Sequence, residues 1–93
     1  MGVTFEWNLA KAESNLQKHG INFDEASTVF TDPMFITFLD EEHSIHEDRY
    51  ITIGMSSPKR LLMVAHTDRN GRMRIIRARK ATNNERKFYA EGL

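Results

Sequence analysis

The dipeptide Asn70-Gly71 stands between two β-prone runs, RLLMVAHTD at 60–68 and RMRIIRARK at 72–80. A two-residue type I′ turn needs positive φ at both central positions, and Asn followed by Gly meets that need at least steric cost. The two runs are therefore expected to close as a tight antiparallel hairpin. With Arg69 opposite Arg72, a regular ladder pairs His66 with Ile75, Val64 with Arg77, and Leu62 with Arg79. One face then carries Leu61, Met63, Ala65, Ile76 and Ala78, and the other sets His66, Arg77 and Arg79 beside Leu62, Val64 and Ile75. Arginine is rarely buried unpaired, so this second face is expected to be open near Arg77 and Arg79 or to hold an anion.

Two more β-prone runs, MFITFLD at 34–40 and RYITIGM at 49–55, precede the hairpin. The SSPK loop leaves open which face receives Ile51 and Ile53. Near the start, FEW at 5–7 reads as a short strand, and Asn8 stands where a helix N-cap belongs. Leu9, Ala12 and Leu16 follow at helical spacing, with Lys18 and His19 in the last turn and Gly20 beyond, so a helix is expected over about 8–19. Asn22 and Glu25 have capping-box spacing, and Phe23, Ala26, Val29 and Phe30 make an apolar stripe of about two turns before Asp32-Pro33. Thr82 and Glu85 repeat the capping-box spacing at the head of a short terminal helix carrying Phe88 and Tyr89. The expected architecture is α+β, β-α-α-β-β-β-β-α, with one largely antiparallel sheet packed by helices in a single domain spanning 1–93.

The formal net charge is zero, yet it conceals a division. Residues 1–50 hold Lys11, Lys18 and Arg49 against ten acids, whereas residues 51–93 hold ten Lys or Arg against Asp68, Glu85 and Glu91. Such asymmetry points to an anionic partner for the second half, either nucleic acid or an acidic protein segment. Mutual neutralisation of the halves across the fold is the plain alternative. No cysteine is present, which excludes disulfides, thiolate metal sites and a cysteine nucleophile. The start, MGVTFEWNLAKAES, has neither a basic n-region nor an apolar run, so the expectation is a cytoplasmic chain with no membrane contact.

Arg74, Arg77, Arg79 and Lys80 precede a helix start at Thr82, and Arg86 and Lys87 follow it. Guanidinium groups beside free backbone N–H groups suit phosphate, which makes Arg74, Arg77, Lys80 and Arg86 candidate nucleic-acid contacts and Arg79 the leading site residue. Its structural alternative is an ion pair to the acidic half. Cleaving RNA without a metal requires a base for the 2′-hydroxyl, charge stabilisation on the phosphorane and an acid for the leaving 5′-oxygen. Lys18, His19, His66, Glu85 and Tyr89 offer those functions without a diagnostic spacing. Each also has a structural reading: Lys18 and His19 finish a helix, Glu85 caps one, Tyr89 packs as an aromatic, and His66 near a strand end is hydrogen-bonded or solvated. DEEHSIHED at 40–48 places His43 and His46 among acids, in what reads as a solvated, mobile loop. Histidines at i and i+3 there lack the helical framework of a metal site, so no metal and no cofactor are expected. Phe5 and Trp7 read as core anchors.

The stretch FEWNLAKAESNLQKHGINFDEASTVFTDP resembles the opening of the BrnT toxin family, with its aromatic-Glu-Trp-Asp start, a Lys, an Asn, a Lys-His-Gly and a Phe-Glu-x-Ala helix. The stretch RYITIGMSSPKRLLMVAHTDRNGRMRIIRARKATNNERKFYAEG is similar to the family's strand-rich half, through its Ile-Gly, Arg-Leu-Leu, Arg-Ile-Ile and Ala-Arg-x-Ala-Thr-x-x-Glu-Arg elements. The resemblance runs over about residues 5–92. It implies a RelE-like fold and a metal-independent ribonuclease that stops translation. It further implies neutralisation by a cognate antitoxin of the BrnA type, whose ribbon-helix-helix domain binds DNA and lets the complex repress its own operon. The toxin would then meet DNA only indirectly. Carried over by position, the family motif falls on Lys18, His19, Arg79, Glu85 and Arg86. Two departures stand out: Asn8 replaces an aspartate of equal capping ability, and Arg77 occupies a position where the family more often has a small residue. A non-catalytic basic-faced module binding nucleic acid or protein is the competing class.

Overall fold

The computed structural model describes residues 3–92. Along the chain lie β1 (Phe5–Glu6), α1 (Leu9–His19), α2 (Phe23–Ser27), β2 (Ile36–Leu39), β3 (Arg49–Met55), β4 (Leu61–Arg69), β5 (Arg72–Lys80) and α3 (Asn83–Glu91). Short 3-10 turns occupy Thr28–Thr31 and Glu41–His43. The fold is α+β around one mixed five-stranded sheet of order β1-β5-β4-β3-β2. β1 runs parallel to β5, and the other neighbours are antiparallel. No helix among the described residues is long and apolar enough to cross a membrane.

Local chemistry sets the boundaries. The Asn8 side chain accepts from the Lys11 N–H at 3.0 Å and starts α1. Gly20 ends it in the left-handed region at φ 69°, its N–H donating to Leu16 O at 2.8 Å, so His19 is the last helical residue. Asn22 caps α2 at 2.7 Å, but the helix lasts only to Ser27 and then tightens into the 3-10 turn. The hydroxyls of Ser27, Thr28 and Thr31 each donate to the carbonyl three residues back, offering the backbone an alternative to the expected second α-turn. Asn70 and Gly71 hold φ of 54° and 77°, as a type I′ hairpin requires. At α3 the box forms reciprocally: Glu85 N–H donates to Thr82 Oγ1 at 3.2 Å and Thr82 N–H to Glu85 Oε1 at 2.8 Å.

The hairpin register departs from the regular ladder. Arg69 pairs with Arg72 and His66 with Ile75 as expected, but Ala65 then pairs with Arg77, Val64 with Ala78 and Met63 with Arg79. Ile76 has no β4 partner and forms a bulge. One extra residue shifts the alternation by one step, which turns Arg77 and Arg79 away from Leu62 and Val64 and admits Ala78 in their place. The bulge thus removes the conflict of guanidinium groups on a half-apolar face. Arg72, Arg74, Arg77 and Arg79 all share the face of Met63, Ala65 and Thr67.

The opposite face holds the larger core. Leu62, Val64, Ile75 and Ala78 pack under Ile21, Phe23, Ala26 and Val29, with Phe5, Trp7 and Phe30 at the margin. Trp7 meets Phe23 edge-on at 5.9 Å, consistent with an anchoring role. Each of these large side chains contributes roughly 1.5–3 kcal/mol through burial. On the arginine face, α3 lays Phe88 and Tyr89 over a smaller cluster of Ile53, Leu61 and Ala81, which answers where Ile51 and Ile53 point. α1 lies along the edge of β5 that the short β1 leaves free. Its buried Asn15 donates from Nδ2 to Ala78 O at 2.8 Å and to Ile21 O at 2.9 Å, and its Oδ1 accepts from Ala78 N–H at 3.1 Å. A side-chain amide there satisfies backbone groups that an adjacent strand would otherwise pair.

Candidate functional site

Because α3 covers only part of the arginine face, the rest opens into a depression of about 250 Å³. Ala65 and Arg77 belong to its floor on β4 and β5. α1 contributes Lys11, Lys18 and His19 on one side, and the other side brings Arg49 of β3 with Asp40 and His43 of the β2–β3 connection. Lys11, Asn15 and Lys18 are spaced four and three residues apart, hence on one face of α1. The Asn15 bonds to Ala78 therefore fix where both lysines stand relative to the floor. Gly20's left-handed turn leaves His19 at the end of that wall.

Charges here are unevenly matched. Arg77 is exposed and, among the described residues, makes no ion pair. Arg49 lies 3.4 Å from Glu47. Asp40 is bound to His43, with Oδ2 to Nδ1 at 2.8 Å. Four cationic side chains thus surround a space whose lining carboxylate is already engaged.

The remaining sequence candidates lie elsewhere. Arg79 grips Glu85 through two bonds of 2.8 and 3.0 Å and also donates to Lys80 O at 3.1 Å. Burial alone would raise the Glu85 carboxyl, but Arg79 and the Thr82 N–H outweigh it and hold the group below the usual carboxylate range. Tyr89 donates its hydroxyl to Asp32 Oδ2 at 2.6 Å, and that carboxylate, with lesser help from burial, pushes the phenol up to about 12. Arg74 is tied to Glu6 at 2.9 Å, with Arg72 3.8 Å from the same carboxylate. Lys80 and Arg86 are exposed and, like Arg74, Arg79, Glu85 and Tyr89, do not line the depression. Of the nine candidates, only Lys18, His19 and Arg77 meet there.

His66 is on the other face, stacked on Tyr50 at 5.8 Å and edge-on to Phe30 at 5.1 Å, with Nε2 against Thr52 Oγ1 at 2.7 Å. Burial pushes its imidazole down to about 4 against the opposing pull of Asp68. It packs as a neutral core group.

The 40–48 segment is largely exposed, as its composition leads one to expect, and hydrogen bonds close its base. Asp40 N–H donates to Arg49 O at 2.8 Å, Ser44 Oγ donates to Asp40 O at 2.6 Å, and Arg49 N–H donates to Ser44 Oγ at 2.9 Å. The Ser44 hydroxyl thereby closes the base of the connection, and the 3-10 turn above it brings His43 round to Asp40. From the sequence, Asp40 and Arg49 are not among the candidates, and His43 is weighed only as a metal ligand. The signal was the Asp-x-x-His spacing, which one 3-10 turn brings together. Among the described residues, no three acidic or histidine side chains converge in a manner able to hold a metal ion.

Comparison with known proteins bears on this arrangement. A family model described as "Ribonuclease toxin, BrnT, of type II toxin-antitoxin system" matches residues 7–85. The crystal structure of the ribonuclease toxin BrnT from Brucella abortus is similar with a TM-score of 0.67 at 19% identity, covering 88% of this chain and 100% of that one. At that identity the likeness carries the fold. No curated protein matches the sequence.

Proposed function

The chain belongs to the BrnT family of ribonuclease toxins of type II toxin–antitoxin systems, and from that premise we propose that it is an endoribonuclease cutting single-stranded RNA by attack of a 2′-hydroxyl on the adjacent phosphate. The phosphate occupies the depression between α1 and the β2–β3 connection. Arg77, with Lys18 beside it, takes the charge that builds on the phosphorane, and His19 transfers a proton. These cations fill the part a divalent ion plays elsewhere, and their like charge opposes one, so the reaction is metal-independent. Arg79, the first choice from sequence, instead ties α3 to β5 through Glu85, and Tyr89 does the same for α3 and the Asp32 turn.

The wider reading follows from family membership. Cleavage stops translation in the cytoplasm, the fold is of the RelE-like kind, and one domain suffices for activity. A cognate ribbon-helix-helix antitoxin of the BrnA type holds the toxin in check and brings it to DNA. An acidic segment of that antitoxin competes with RNA for the cationic depression.

The observation that carries the proposal is that Arg77, on a floor faced by Lys11, Lys18 and His19, makes no ion pair among the described residues. Incubating the purified chain with a labelled transcript in EDTA tests it. The intact chain is expected to cut, and Arg77→Ala to cut about 10²- to 10³-fold more slowly, as for loss of one preorganised charge-stabilising donor. Binding without cutting overturns the nuclease reading in favour of a binding module. Cutting that returns only on adding a divalent metal overturns metal independence.

A further inference from the structure

The depression contains a second imidazole, on the wall across from α1. His43 is carried by the 3-10 turn Glu41–His43, and its ring is held by Asp40. Resting on the nuclease reading above, we propose that His43 is a catalytic residue that accepts the 2′-hydroxyl proton while His19 protonates the leaving 5′-oxygen, and that Asp40 is its positioning residue.

Stereochemistry supplies the first reason. In a displacement at phosphorus the attacking and leaving oxygens lie roughly in line on opposite sides of the phosphorus atom. A base and an acid on one wall cannot serve both, so the two must face each other across the phosphate. The sheet order produces that separation. α1 is docked by Asn15 against the free edge of β5, whereas the β2–β3 connection rises from β3 on the far side of β4, and both line the same space.

Hydrogen bonding supplies the second. A carboxylate only accepts, so His43 Nδ1, at 2.8 Å from Asp40 Oδ2, must be the donating nitrogen. The neutral ring then carries its lone pair on Nε2, the tautomer required of a base. Exposure is divided accordingly: the Asp40 side chain is 17% exposed and the His43 side chain 53%, a sheltered orienting group behind a reachable one. The Ser44 hydroxyl pins both ends of the connection, at Asp40 O and Arg49 N–H, so the pair is presented from a fixed base. Arg49 stands beside it and Arg77 on the floor, which keeps the phosphate between the two imidazoles.

The step balances without a co-reactant. The 2′-oxygen bonds to phosphorus as its proton passes to His43 Nε2; the bond from phosphorus to the 5′-oxygen breaks as that oxygen takes a proton from His19. The products are a 2′,3′-cyclic phosphate and a 5′-hydroxyl.

The test uses the full chain in EDTA and two RNA strands alike except at the bond the intact chain cuts, where one carries the natural 5′-oxygen and the other a bridging sulfur. A thiolate leaves without needing a proton, so loss of the acid is rescued by sulfur and loss of the base is not. On the oxygen strand, His43→Gln and His19→Gln are each expected to cut about 10²- to 10⁴-fold more slowly. On the sulfur strand, His19→Gln recovers and His43→Gln stays slow. Asp40→Asn is expected to lower kcat with KM unchanged, and His43→Gln to bind a strand with a 2′-deoxy group at the cut site as tightly as the parent. His43→Gln cutting the oxygen strand at the parent rate overturns the inference. So does recovery of that variant on sulfur, or a loss of 2′-deoxy strand binding equal to its loss of cleavage. A parent chain that cuts neither strand removes the nuclease reading and this inference with it.

Discussion

Truncating Asn15 to alanine tests how α1, and with it one wall of the depression, is held to the sheet. The residue is 6% exposed, and its side chain makes three hydrogen bonds to backbone groups, two at Ala78 and one at Ile21. At about 1 kcal/mol net each, their loss costs about 3 kcal/mol, and backbone groups left buried without partners raise the figure toward about 5 kcal/mol. For a chain of 93 residues that is a large share of the roughly 5–15 kcal/mol separating native from unfolded states. At roughly 4–8 °C per kcal/mol, a loss of about 3 kcal/mol lowers Tm by roughly 12–24 °C. Urea unfolding followed by circular dichroism and by the fluorescence of Trp7, which packs on Phe23, reads the change directly. Asn15→Asp keeps the acceptor for Ala78 N–H, removes both donors and sets a carboxylate against two carbonyls, so it should unfold more readily still. A loss below about 1 kcal/mol for the alanine variant would show that water replaces the amide, and the account of α1 as an edge partner of β5 would be wrong.

Other measurements probe the rest of the structure. His66 has a folded value of about 4, below the roughly 6.5 of an unfolded chain, so the native state refuses a proton that the unfolded chain accepts. Stability should be complete above about pH 6.5 and fall as pH drops toward 4, by about 2 kcal/mol between about pH 7 and pH 5; an equal fall in His66→Gln would remove His66 as the cause. Tyr89→Phe, which deletes the bond to Asp32, should cost on the order of 1–3 kcal/mol of stability while leaving cleavage near the parent rate; a loss of 10²-fold or more (about the effect of a removed acid or base) would return Tyr89 to the reaction. Binding of a 2′-deoxy strand should weaken with salt at about 0.7 log units per log unit for each phosphate neutralised, and Arg77→Ala should reduce that slope by about 0.7; an unchanged slope would place Arg77 away from phosphate.

Much of the scaffold was readable because single residues dictate it. Asn8, Gly20, Asn70-Gly71 and the Thr82–Glu85 box each fix a backbone boundary through a local bond or a positive φ, and each behaves as its type demands. The face of the basic strand was not readable, since period-two counting fails at an unpaired residue and nothing local marks Ile76 as one. The same limit governs the site. Arg74 and Arg79 look as available as Arg77 along the chain, and only the distant Glu6 and the neighbouring α3 separate engaged guanidinium groups from the free one. Lys18 and His19 were legible because a helix end displays them, whereas the worth of Asp40 and His43 depended on Ser44 closing a loop whose composition reads as solvated.

The unpaired Ile76 leaves β5 one residue longer than its ladder with β4 demands. Slack of this kind absorbs a change in strand length locally instead of passing it down the strand: with Ile76 deleted, Arg77 would still meet Ala65 and Arg79 still meet Met63, in an unbroken alternation. Losing a laddered neighbour such as Ile75 would instead be repaid by recruiting Ile76 into its place. The cationic surface is thus buffered against single-residue deletion, a change that in a regular ladder would turn the rest of the strand inside out.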